Sequence, residues 1–438
     1  MLVWARISFG LIVAWEVLRY IRHDRISRYY IEPDFTFTYY GFEWVQPFSA
    51  LGMGVLFAVI FVSALGVAAG ALYRVCAPLL FVSFSYFFLL DAAQYLNHIY
   101  LCCWLALLLC FMPANRCFAV DTRLGLAPCS DVVPAWTLWL LRAQVGLVYF
   151  WGGVAKLNGD WLNGLPMLGW MEGRREMWLI GPLLAWDPTA YFMSGAGLGL
   201  DLLMFPLLIW RRTRLWALGA AVLFHLLNLT IFNIGIFPFL MVAWTLLFLD
   251  ADAPRRLFRR RVVAVPPVGP ILSRLGTVLL GGWLFIQLAL PLRHWLYPGN
   301  VSWTEEGHRF AWHMKLRSKS ARATFVVRDV DTGRQWKVEP SDLLTDRQRR
   351  KMITRPDLIV QFAHHIEEEL RARGHREVEV RAQVFASLNG RRRQRLVKET
   401  VDLTQVELRL WPPADWIVPL SEPRQSGWSV IQASSGGQ

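Results

Sequence analysis

The chain has 438 residues, of which 55% are hydrophobic and 22 are tryptophan, with a positive mean hydropathy of +0.33; this excludes one ordinary soluble domain and points to a bilayer as solvent. The formal net charge is +13, yet the basic residues are scattered over loops and a mixed-charge C-terminal part, without a stripe interleaved with aromatics, which argues against a nucleic-acid partner. All six cysteines lie between Cys76 and Cys129 with no C-x-x-C spacing, which excludes a disulfide framework in the C-terminal part and a zinc or dithiol redox motif anywhere.

In chain order, an apolar run near 4–21 lacks a small-residue cleavage site and reads as a retained span. Further runs near 50–72, 76–90, 94–112, 136–154, 193–210, 215–232, 235–250 and 275–293 bring the expectation to about nine spans. The adjacent Cys102 and Cys103 read as small apolar helix residues within the fourth. An odd count leaves the termini on opposite sides. Arg211, Arg212 and Arg214 after the sixth run, and Arg255, Arg256, Arg259, Arg260 and Arg261 after the eighth, then share the cytoplasmic face and leave the C-terminal part outside. Arg19, Arg22, Arg25 and Arg28 fall on the outer face against that rule, which a surface-lying amphipathic segment accommodates.

After about Leu296 the composition turns charged, and the runs "ATFVVRDV", "RQWKVEP" and "REVEVRAQVFASL", separated by "DTG" and "LNG" turns, read as strands and hairpins. Residues 345–374 carry helical apolar spacing and a glycine stop at Gly374, and read as one long helix. The expected architecture is a polytopic all-α membrane bundle over 1–295, then a strand-rich α+β soluble domain over 296–420. A tail over 421–438, rich in Ser, Gly and Gln, reads as disordered.

An ionisable side chain at mid-bilayer costs roughly 2.5 kcal/mol or more, so each one in a span raises a functional question. Asp91, Asn97 and His98 fall at the turn between the third and fourth runs, Lys156 closes the fifth, and His225 and Asn228 lie past the middle of the seventh. All of these fall toward the outer leaflet, so His98, Lys156, His225 and Asn228 have the depth to share one cavity. For each a blander reading stands beside the functional one. A lysine at a helix end snorkels to the interface, a histidine in a span ties two helices, and the pair Gly152 and Gly153 packs helices closely. Asp201, midway along the sixth run, reads as an interhelical tie with Arg142 or Gln144 as partner. Paired histidines for two haems, H-E-x-x-H, a phosphate-binding loop and a G-x-S-x-G elbow are all missing from the sequence, so no metal site is expected.

Three segments, "FFLLDAAQYLNHIYL", "LLRAQVGLVYFWGGVAKLNGDW" and "FHLLNLTIFNIGIFPF", followed by "NVSWTEEGHRFAWHM" and "VFASLNGRRRQRLVKETVDL", give the chain a resemblance to the vitamin K-dependent gamma-glutamyl carboxylases and their bacterial relatives, in order over nearly the whole chain. That resemblance implies a multi-pass membrane enzyme that oxidises vitamin K hydroquinone with O2 to the epoxide. It couples this to proton removal from a peptide glutamate, to which CO2 adds. It further implies Lys156 as the base that deprotonates the hydroquinone, with His98 in the same active site. Asn97, Tyr149, His225 and Asn228 would line the quinone pocket, and Trp303, His308, Phe310, Trp312 and Met314 would contact the glutamate. The same 303–314 stretch also reads as an aromatic strand at the membrane boundary. The implied partners are lipid, quinol, a glutamate-containing peptide reaching the outer face, and a separate quinone epoxide reductase, since this chain has no dithiol pair.

The chain departs from the animal carboxylases in ending soon after the glutamate-site segment and in having no cysteine after Cys129. Propeptide recognition and the disulfide of those enzymes are therefore not expected. Two alternatives stay open: quinol epoxidation without carboxylation, and a non-enzymatic quinone- or lipid-binding membrane protein.

Overall fold

The computed structural model describes residues 1–423 apart from 179, 233, 254–255 and 257–272. Residues 424–438 of the expected disordered tail and most of the basic cluster after the eighth run (Arg255, Arg259, Arg260 and Arg261) lie outside the described residues.

The N-terminal region is helical: α1 (Leu2–Arg22), α2 (Ala50–Ala69), α3 (Tyr73–Leu89), α4 (Asn97–Cys110), α5 (Ala135–Lys156), α6 (Leu165–Glu172), α7 (Asp187–Ile209), α8 (Arg214–Ile231), α9 (Phe237–Thr245) and α10 (Arg274–Leu292). Local chemistry sets several of these ends. The Ser49 hydroxyl accepts from Gly52 N at the start of α2, and Gly70, at φ +65°, stops it in the left-handed conformation that a side chain resists.

Among the described residues five helices, α2, α5, α7, α8 and α10, are long and apolar enough to cross a membrane, against the nine spans expected. A bilayer core needs about 20 apolar residues, at about 1.5 Å of rise each, a length that several of the other apolar helices do not reach. Helices α3, α4 and α9 have 17, 14 and 9 residues. Helix α1 reaches 21 residues but carries Arg6 and Glu16 buried against protein. Arg6 donates to Phe118 O at 2.6 Å, and Glu16 pairs with Arg19 at 2.6 Å.

The C-terminal region holds one four-stranded antiparallel sheet of β1 (Lys319–Asp329), β2 (Gln335–Val338), β3 (Val378–Leu388) and β4 (Gln394–Arg395) in the order β2-β1-β3-β4. Strands β1 and β3 pair along their full length, from Lys319 opposite Leu388 to Asp329 opposite Val378. In β3 Val378, Val380, Ala382, Val384, Ala386 and Leu388 are buried on one face, the period-two signature read in the sequence. The expected single helix over 345–374 is two, α11 (Asp346–Met352) and α12 (Pro356–Ala372), because Pro356 cannot continue a helix through its missing N–H. A capping box between Thr345 and Gln348 starts α11. Phe362 of α12 meets Phe325 of β1 edge-on at 4.9 Å, closing the core of this region.

The stretch 303–314 is not a strand. A short helix, Val301–Thr304, is followed by irregular backbone in which Glu305, Phe310, Trp312 and Lys315 all have positive φ, a conformation unsuited to a strand and costly for residues with a Cβ.

Buried polar contacts join the two regions. Arg391, just past β3, grips Asp160 through two bonds of 2.7 and 2.6 Å, and Asn389 adds a third at 2.7 Å. Both charged side chains are about 95% covered, at 4% and 5% exposure, so the pair is shielded from water. Gln361 of α12 bonds Thr38 N at 2.8 Å, and Gln348 of α11 donates to Phe35 O at 2.7 Å.

Removing one partner of such a pair leaves a buried charge uncompensated, at about 3–5 kcal/mol. Asp160→Ala is therefore expected to lower the thermal midpoint of the detergent-solubilised chain well below that of Asn389→Ala, which removes an uncharged amide that donates to Asp160 and accepts from Ser318 N; equal shifts would show that the ion pair does not join the two regions.

Candidate active site

A cavity of about 820 Å3 lies at the junction between the helical region and the sheet region. Its inner wall is apolar, with Met193, Leu200, Leu223, Phe224, Leu227 and Phe237, and its outer wall comes from residues 305–319 and 347–355.

Lys156 ends α5 inside this cavity. Its ammonium donates to Asp201 Oδ2 of α7 at 2.5 Å and to Gly152 O at 3.1 Å, and lies over the Trp161 ring at 5.2 Å. Both members of the ion pair have side chains only 7% exposed. The glycines of α5 make the pairing possible. A Cβ on Gly153 would come within 2.9 Å of Leu202 N, and one on Gly152 within 3.3 Å of Asp201 Oδ2, so α7 approaches as near as bare backbone permits.

Asp201 was expected to pair with Arg142 or Gln144, and both are engaged elsewhere. The Arg142 guanidinium donates to Leu247 O (2.8 Å) and Leu249 O (2.9 Å), while Gln144 Oε1 accepts from Trp283 at 3.2 Å.

Deeper in the cavity, Tyr149 OH lies 2.8 Å from His225 Nε2 and 3.3 Å from Thr245 Oγ1. His225 Nδ1 is buried without a partner among the described residues. His98 and Asn228 line the same space, and the His98 side chain makes no hydrogen bond among the described residues. Asn97 Nδ2 donates to His313 O at 3.2 Å while its Oδ1 accepts from Tyr95 OH at 2.9 Å; Tyr95 OH in turn accepts from Phe310 N at 2.7 Å. The start of α4 is thereby bonded to the irregular 305–315 stretch.

On the outer wall His308 and Met314 face the cavity. Burial, then the nearby Arg317, Arg309 and Arg355 charges, push the His308 imidazole well below its ordinary value, and its Nδ1–H donates to Glu305 O at 2.5 Å. His313 is pushed down to about 3, mainly by burial, and neither ring nitrogen has a hydrogen-bond partner among the described residues. Glu305 sits between the Arg317 guanidinium and Lys319, whose ammonium is 3.5 Å away and is lowered to about 8, chiefly by burial.

A family model described as the HTTM domain matches residues 1–252, more than half of the chain, and one described as the vitamin K-dependent gamma-carboxylase, lumenal domain, matches residues 272–423. The chain belongs to the vitamin K-dependent gamma-carboxylase family. Membership implies an enzyme of carboxylase type with vitamin K involved, and the lumenal designation points to an extracytoplasmic C-terminal region. No solved structure matches the chain.

In this gamma-carboxylase family member, Asn97, His98, Tyr149, Lys156, His225, Asn228, His308 and Met314 all line one cavity. Three residues expected at the glutamate do not. Trp303 is fully buried and donates to Val418 O at 2.7 Å; Trp312 is fully buried against Tyr100, with ring centroids 5.2 Å apart. Phe310 lines a separate cavity of about 660 Å3. These aromatics hold the 303–314 stretch in shape. Sequence reasoning missed Asp201 as the partner of Lys156, and also His313, Tyr95 and Glu305. The small-residue approach at Gly152 and Gly153 was the available signal for the first.

Asp201→Ala would strand the Lys156 charge at a cost of about 3–5 kcal/mol, whereas Lys156→Met combined with Asp201→Leu removes both charges and recovers most of the loss. Thermal unfolding of the three variants checks this, and a double variant as unstable as Asp201→Ala refutes the pairing.

Proposed function

We propose that this chain is a vitamin K-dependent gamma-glutamyl carboxylase that couples oxidation of the hydroquinone to the epoxide with carboxylation of a peptide glutamate. The observation that carries the proposal is a lysine–aspartate pair sealed at the end of an apolar membrane cavity, whose outer wall is built by the lumenal-domain segment.

The residues suit a quinol. The apolar inner wall accommodates a ring and an isoprenoid chain, and His225 Nδ1, unpartnered among the described residues, is a polar group for a ring oxygen. When bound, the reduced quinone together with O2 supplies the electrons and the strong base of the reaction. Every other task falls to the chain.

The Lys156 amine accepts a proton from a quinol hydroxyl once its own ammonium proton has passed to Asp201 Oδ2, 2.5 Å away. Asp201 is then the positioning residue that aims Nζ. His98, which lines the same cavity, is the second catalytic group and relays that proton; Asn97, Tyr149 and Asn228 orient the ring. The apolar wall excludes water, which would quench a carbanion, and raises the strength of each remaining polar contact. His308 and Met314 receive the glutamate from the extracytoplasmic side, while Trp303, Phe310 and Trp312 fix the loop that carries them. Returning the epoxide to quinol requires a separate reductase.

Epoxidation without carboxylation is the second reading. It is favoured by the burial of Trp303 and Trp312 and the diversion of Phe310, which reduce the expected glutamate contacts to His308 and Met314.

Purified protein given reduced vitamin K, O2, labelled bicarbonate and a glutamyl peptide is expected to form epoxide and fix label. Lys156→Ala should lose at least about 100-fold of both. Epoxide without fixed label selects the second reading, neither product from the wild type refutes both, and an undiminished Lys156→Ala removes the lysine from the chemistry and leaves a binding protein.

A further inference from the structure

The proposed reaction uses one cation, yet the cavity carries many. Its three acidic side chains are already engaged: Glu16 with Arg19, Asp201 with Lys156, and Glu305 with Arg317 and Lys319. Arg25, Lys315, Arg347, Arg350, Lys351 and Arg355 line the same cavity and form no ion pair among the described residues.

Neutral groups hold several of these cations in place. Arg347 Nε donates to Gln94 Oε1 and its guanidinium lies 4.8 Å from the Tyr29 ring centroid. Arg355 Nη1 donates to Ala92 O at 3.4 Å, and Lys315 Nζ sits 4.9 Å from the Phe232 ring. Glu16, Asp91, Glu305 and Asp357 act on these cations only from beyond ion-pair distance. Lys351 registers the crowding: burial, and then the Arg355, Arg347 and Arg317 charges, lower it to about 7. Arg25 stands on the face of the chain that opposes the usual placement of positive charge in membrane proteins, which a ligand-binding task explains.

Like charges assembled round a partly enclosed space await an anion. The cations are spread over three separate pieces of chain: the segment just after α1, residues 315–319, and α11 with its following turn. A lipid phosphate concentrates its charge at one point, whereas carboxylates spaced along a peptide match a dispersed set.

We propose that this outer wall is an anion-binding vestibule for an acidic peptide segment, reading carboxylates that flank the glutamate delivered to His308 and Met314. The peptide as occupant rests on the carboxylase reading; the vestibule's preference for spaced carboxylates is tested by binding, without turnover.

The full chain in phosphatidylcholine nanodiscs is titrated against a fluorescent peptide with one central glutamate and flanking Asp and Glu, and against its twin with flanking Asn and Gln. The acidic peptide is expected to bind at least about tenfold more tightly, with the advantage shrinking between about 50 and about 500 mM salt. Arg350→Glu and Lys351→Glu, on the wall and outside the proposed chemistry, should abolish that advantage while leaving the affinity for the neutral twin and the thermal midpoint unchanged. Equal affinities for the two peptides overturn the proposal, as does an advantage that survives both variants. If phosphatidylglycerol displaces the acidic peptide no better than phosphatidylcholine does, the peptide assignment stands; binding of phosphatidylglycerol that depends on Arg350 and Lys351, with no acidic-peptide preference, reassigns the wall to a lipid headgroup and overturns it. Acidic-peptide binding with no fixed carbon sinks the carboxylase reading and leaves the vestibule in place.

Discussion

Two opposite charges kept from water must find each other, and the way α5 and α7 do so organises the interior of this protein. Lys156 and Asp201 sit on different helices, 45 residues apart in sequence, and neither is tolerable alone in an apolar setting. Their meeting demands that the helices nearly touch. Gly152 and Gly153 supply that contact by omitting side chains, and Gly146 faces the Phe205 ring in the same way one step along. The pair thus fixes the rotation of both helices, and with it the direction in which Tyr149 and the neighbouring cavity wall face. Trp161, stacked beneath the ammonium and bonded to Ser194 O at 2.9 Å, locks the following turn onto α7 as well.

The cavity is shared property of two regions with different solvents. Membrane helices furnish the apolar interior, and the sheet region furnishes the charged rim. The seam is polar and buried: Asp160 with Arg391 and Asn389 on one side, Gln361 with Thr38 on another. Between them the Asn97–His313 and Tyr95–Phe310 bonds connect the first turn of α4 to a backbone already bent into left-handed conformations. A displacement of either region is therefore felt at His98, which follows Asn97 directly.

Much of this was readable in the sequence, and the failures have physical causes. Depth along a span follows from counting residues, so His98, Lys156, His225 and Asn228 could be placed at one level, and they do line one cavity. Which helix faces which cannot be counted, and Asp201 was consequently given the wrong partners. Period-two burial made β1, β2 and β3 legible, while the irregular path after Thr304 was hidden because an aromatic-rich stretch looks alike as strand or loop. The span count exceeded the five long apolar helices because hydropathy does not register a helix shortened to 14 residues, or a charge such as Arg6 that is answered by a neighbouring carbonyl.

The division of the cavity between the two regions also bears on how the protein is made. The Lys156–Asp201 pair is complete once α7 has been synthesised, more than a hundred residues before the 305–355 wall exists. During that interval the cavity still lacks the α8 and α9 side chains of its inner wall and the whole of its outer wall. Enclosure of the Lys156–Asp201 pair therefore comes last, with the docking of the sheet region onto the helices.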